Sequence, residues 1–110
     1  METVTASYMW PGPDLDVLTL FVEPTPDWGA DPIDFEICVY RVLDENEQYT
    51  DAVAGVEIVG FLDFDRWGDL PPLRILWRVP GWEALPLEDV LRRVQQSLRL
   101  RTSAVASSRD

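Results

Sequence analysis

The chain has 110 residues and a mass of 12.6 kDa, the size of one domain with one core. It holds no histidine, no lysine and a single cysteine, Cys38, which excludes imidazole catalysis or metal ligation, lysine Schiff bases, an internal disulfide and a cysteine zinc site. Twenty acids against nine arginines give a net charge of −11, and no apolar run reaches the length that spans a bilayer.

In chain order, Val4, Ala6 and Tyr8 alternate within the first nine residues and predict a strand at a sheet edge. Trp10-Pro11-Gly12-Pro13 must turn, because two prolines and a glycine continue neither regular element. Asp14 and Asp16 follow, where aspartate commonly starts a turn by bonding its own backbone two residues on. Val17 to Val22 is a β-branched and aromatic run of strand length, stopped by Pro24 and Pro26. Residues 24–32, rich in Pro, Gly and Asp, read as a loop. Phe35 to Leu43 reads as a longer strand, with Phe35, Ile37, Val39 and Leu43 on one face and Glu36, Cys38, Tyr40 and Val42 on the other. Residues 44–48 form a polar turn tip.

A further strand is predicted from about Ala52 to Phe64, in which Gly55 and Gly60 mark a bulge or a close backbone approach. After the break at Arg66 to Pro72, the residues Leu73, Ile75, Trp77 and Val79 alternate with Arg74, Leu76 and Arg78. Pro86, with Glu88 and Asp89 behind it, opens a helix whose apolar stripe is Leu87, Val90, Leu91, Val94 and Leu98. Arg92, Arg93, Gln95, Gln96 and Arg99 fill the opposite side. The expected fold is therefore α+β, a mainly antiparallel sheet of four to five strands with one C-terminal amphipathic helix packed on it. Residues 1–101 form a single domain, and 102–110 form a frayed tail. The opening Met-Glu-Thr-Val lacks the features of a signal peptide, so a soluble, cytoplasmic protein is expected.

Two boxes carry a resemblance. Tyr8 followed by Asp14-Leu15-Asp16-Val17-Leu18-Thr19-Leu20 resembles a Y…D-x-L-Y-[IV] opening, and Gly55-Val56-Glu57-Ile58 resembles a G-[IV]-E-I box. Both occur in this order in a bacterial family of short β-rich proteins known only as a domain of unknown function. The likeness covers roughly residues 8–62. The Pro-Gly-Pro insertion lengthens the first box, and Thr19 stands where the family has an aromatic residue. The resemblance implies a small antiparallel sheet and brings no activity and no catalytic residues.

Three sets of residues could carry chemistry. Asp63 and Asp65 share a parity on the long predicted strand, and such a pair can share a proton or polarise water. A calcium loop is ruled out, since Trp67 and Arg74 fall where oxygen ligands are needed. Glu57, alone in mid-strand, is expected to pair across strands with Arg74 or Arg78; at the floor of a pocket it would instead act as a base. Cys38, with no neighbouring base, reads as an inert buried thiol.

Trp10, Trp28, Trp67 and Trp82 each adjoin Gly or Pro, and so either fold back as lids or are displayed for binding. Asp27, Asp31, Asp65, Asp69 and Glu83 neighbour the same loops, and an acidic aromatic rim suits an arginine- or lysine-rich partner. Residues 1–69 hold sixteen acids against Arg41 and Arg66, whereas 70–110 hold four acids against seven arginines. Nucleic acid and membrane are disfavoured as partners by the acidic body, although the charge would also suit a nucleic-acid mimic. Self-association, as a homodimer joining the acidic sheet of one copy to the basic helix of another, is the other option. The expectation is a non-catalytic interaction or regulatory module, antitoxin-like or accessory, binding a basic protein or peptide through Trp10, Trp28, Trp67, Trp82, Asp65 and Asp69, with no cofactor or metal. The alternative is a small-molecule binder or carboxylate-dependent hydrolase using Asp63, Asp65 and Glu57 at a sheet end.

Overall fold

The computed structural model describes residues 1–107. The strands are β1 (Glu2–Met9), β2 (Val17–Val22), β3 (Trp28–Pro32), β4 (Ile37–Leu43), β5 (Tyr49–Val59), β6 (Ile75–Arg78) and β7 (Leu85–Pro86), and the chain ends in helix α1 (Leu87–Ser107). Among the described residues they form one seven-stranded sheet in the order β3-β4-β5-β2-β1-β6-β7. The α+β class and the packed C-terminal helix are as expected. The sheet is larger and mixed: β1 runs parallel to β6, while every other neighbouring pair is antiparallel.

Side-chain alternation splits the sheet into two faces of different character. Ala6, Leu18, Leu20, Ile37, Val56, Ile58 and Trp77 point to one face and are fully or almost fully buried. There they meet the stripe Leu87, Val90, Leu91, Val94 and Leu98 in a single core cluster. All five stripe residues are 5% exposed or less, so helix formation and burial of this face are one event. The indole N–H of Trp77 is buried without a partner, a desolvated donor whose cost the packing of the ring offsets.

Several boundaries moved for physical reasons. The first strand is interior rather than an edge, because β6 returns alongside it. The Pro- and Gly-rich segment at 24–32 contains β3, a sheet edge, where a proline costs no ladder bond on its open side. Phe35 lies wholly exposed in the turn before β4, not on a core face. β5 stops at Val59 because Gly60 adopts φ 68°, a left-handed conformation favouring glycine, and Phe61–Asp63 then coil as a 3-10 turn. Asp16, itself at φ 37°, holds this corner. Its carbonyl accepts the Gly60 N–H at 2.9 Å, and its carboxylate accepts the Leu62 N–H at 3.0 Å and the Trp10 indole N–H at 2.9 Å. Its carboxylate therefore bonds Trp10 and Leu62 rather than its own backbone two residues on. Pro86 precedes the helix as part of β7, and α1 continues helical through Ser107, past the boundary set at Thr102; residues 108–110 of the expected tail lie outside the described residues.

Candidate functional site

The sheet face opposite α1 is built from residues that alternate with the core. Register sets them in cross-strand rows: Met9, Thr19, Glu57, Cys38 and Pro32 in one, and Ser7, Phe21, Gly55, Tyr40 and Ala30 in the next. Gly55 matters here because a Cβ would stand 2.6 Å from the Leu20 carbonyl oxygen and 3.1–3.2 Å from the rings of Phe21 and Tyr40. The bare glycine lets those two rings close over it, stacked at 5.3 Å. Trp28, at the start of edge strand β3, stacks on Tyr40 at 4.1 Å. Beneath this cluster the Tyr40 hydroxyl donates to Glu57 at 2.9 Å. Burial, and then that bond to Glu57, push the Tyr40 hydroxyl well above the ordinary phenol range. Burial first, and the Glu57 charge second, likewise raise the Cys38 thiol, which therefore stays protonated near neutrality. Cys38 is only partly buried.

Trp28 remains 40% exposed and lines a cavity of about 570 Å³ with Pro26, Leu43, Asp27, Asp44 and Glu47. Its frame is fixed by the backbone. The Leu43 N–H donates to the Asp27 carbonyl at 2.9 Å, tying the entry to β3 against the end of β4. In the β4–β5 turn, Oδ1 of Asp44 accepts the N–H groups of Asn46 and Gln48 at 2.8 and 2.9 Å. Glu47 takes φ 59° and donates its N–H to the Asp44 carbonyl. Among the described residues, Asp27, Asp44 and Glu47 form no ion pair, and no arginine lines the cavity.

The other three loop tryptophans are half-buried against the core on the helix side. Trp10 is tethered to Asp16. Trp67 meets Phe64 edge-on at 5.0 Å and carries the Arg92 guanidinium 4.8 Å from its ring centre. Trp82 stacks with Tyr8 at 6.4 Å and carries Arg93 at 4.7 Å. Each of these arginines also pairs with a glutamate, Arg92 with Glu88 at 3.0 Å and Arg93 with Glu83 at 3.1 Å. Arg99 donates to the Leu62 carbonyl at 2.7 Å. The basic helix side is thus engaged within the molecule at three of its arginines. Asp69 is bound to Arg66 at 2.9 Å, and Asp65 is exposed.

The carboxylates considered for catalysis are not brought together. Asp63 sits in a 3-10 turn, not on a strand, and lines a small cavity with Arg99 and Thr102 of α1. Glu57 projects from the opposite sheet face. The expected Glu57 pairing with Arg74 or Arg78 does not form, because β2 and β1 lie between β5 and β6; Tyr40 takes its place. Among the described residues no three Cys, Asp or Glu side chains are grouped to hold a metal ion, and no helix is long and apolar enough to cross a membrane. Sequence reading named Trp28 and Asp27 but passed over Tyr40, Phe21, Asp44 and Glu47. Alternation put Tyr40 on the same side as Glu36, yet only the register of four strands places Phe21 and Trp28 around it. No family model, curated protein or solved structure matches the chain.

Proposed function

We propose that the chain is a non-catalytic interaction module that docks a basic segment of another protein at the cavity beside Trp28. One observation carries this reading: a tryptophan 40% exposed, in a cavity lined by three acidic residues that form no ion pair among the described residues. An apolar ring with a charged border is the composition of interface anchors. The partner's sign follows from Asp27, Asp44 and Glu47 at the cavity, and the net charge of −11 adds long-range attraction for cations. Trp28 rests on Tyr40 and Phe21, so its ring is held in place before any partner arrives, which lowers the entropic cost of docking. A regulatory or accessory role fits a module of this kind.

Calorimetric titration with a synthetic peptide of alternating arginine, lysine and glycine tests the reading. Saturable binding that weakens several-fold between low and physiological salt is the expected result. A peptide of the same length with glutamine at every basic position should not bind. Equal binding of the two peptides, or none of either, would contradict the proposal.

A further inference from the structure

The molecule shows twice how its own tryptophans hold a cation. At Trp67 and at Trp82 the arrangement is the same: a guanidinium lies 4.7–4.8 Å from the ring centre, and a glutamate takes one of its N–H groups at 3.0–3.1 Å. In both cases the cation comes from α1, as neighbouring residues Arg92 and Arg93. Ring and carboxylate divide the work, since the flat guanidinium stacks on the indole while its edge keeps an N–H free for the carboxylate. Trp28 has the ring and acidic neighbours but, among the described residues, no arginine. Its indole is braced by Tyr40 at 4.1 Å, and Asp27, Asp44 and Glu47 share its cavity.

Resting on the docking reading above, we infer that the Trp28 cavity is a receptor for an arginine side chain of the partner, and that it discriminates arginine from lysine. The partner's guanidinium occupies the position over Trp28 that Arg92 and Arg93 occupy over the other two rings. One of Asp27, Asp44 and Glu47 takes the role of Glu88 and Glu83. A lysine ammonium supplies the same charge but is a compact, strongly hydrated point, and it cannot stack flat on the ring while bonding a carboxylate at its edge. Pro26 and Leu43 in the cavity wall suit the methylene stem of the incoming side chain.

Two peptides of equal length and charge separate this inference from the reading beneath it: Gly-Arg-Arg-Gly-Arg-Arg-Gly and its lysine counterpart, titrated into the full chain at physiological salt. The arginine peptide should bind about three- to fivefold more tightly, the advantage of a guanidinium stacked on an indole. Trp28→Ala should bring the arginine peptide down to the level of the lysine peptide, whereas Trp28→Phe, which keeps a ring on Tyr40, should retain part of the preference. Unchanged circular dichroism of both variants shows that the fold persists. Equal affinities for the two peptides, insensitive to Trp28→Ala, would overturn arginine selection and leave the basic-segment reading standing. Failure of both peptides to bind would overturn both.

Discussion

Gln95 shows what one side chain settles and what sequence hides. It falls on the polar side of α1, between Arg92 and Arg99, yet it is 6% exposed. Its amide donates to the Phe61 and Phe64 carbonyls at 2.8 and 2.7 Å, joining the Phe64 N–H at the first and supplying a partner to the second. Gln95→Leu keeps the volume and loses both bonds, so it should cost about 1–3 kcal/mol in a denaturant titration. A cost below half the lower figure would show that the carbonyls find other partners. Glu57 makes the complementary case. Alternation marked it as a charge in need of a partner, but the partner depends on strand order, which alternation does not carry. Glu57→Ala leaves the Tyr40 hydroxyl without its acceptor and should cost about 1 kcal/mol. Glu57→Gln retains an amide oxygen at that place and should cost less than half as much. Equal losses for the two would show that the carboxylate charge matters more than the bond.

At the level of elements, the helix was the most readable part because its stripe recurs at helical spacing and every member is buried. Leu91→Ala should cost about 2–5 kcal/mol by equilibrium unfolding, while the same change at Leu100, which is 65% exposed, should be close to neutral. Strand β3 was unreadable for the opposite reason: Trp-Gly-Ala-Asp-Pro has almost no strand propensity and forms only because β4 supplies a template. The parallel β1–β6 pair is equally silent in the sequence, since the partners lie some seventy residues apart. Between these elements Arg66 joins the β3–β4 turn to the segment after β5. It bonds Asp34 and Glu36, the latter at 3.2 Å, and also Asp69 at 2.9 Å. The Arg66 guanidinium, helped by the Glu36 N–H, lowers the Asp34 carboxyl to about 2 from 3.8. A carboxyl lowered on folding contributes stability above its unfolded value and loses it as pH falls to the folded one. The difference in unfolding midpoint between the native chain and Asp34→Asn should therefore be constant above about pH 4 and close between pH 4 and 2. A difference independent of pH through that window would show that the Arg66 pairing of Asp34 does not contribute to stability.

On the scale of the whole molecule, the sheet has one face committed to the helix and one left without a covering layer. The committed face was legible as a list of apolar residues. The uncovered face was not, because Phe21, Tyr40 and Trp28 come from three strands and meet only through register and the bare Gly55. Charge asymmetry in the sequence points the same way as the cavity lining. The arginine-rich C-terminal part supplies cations to Trp67 and Trp82, and Trp28 is left at a cavity whose charged lining residues are all acids. Recognition of a cation at that cavity is the claim on which the functional reading stands. The most direct check is a backbone and indole chemical-shift map of the full chain titrated with the arginine peptide. Shifts should concentrate at Asp27, Trp28, Tyr40 and residues 43–47, with the indole N–H of Trp28 moving furthest among the five tryptophans. Shifts confined to α1 or to the Asp63 turn, with Trp28 unmoved, would contradict it.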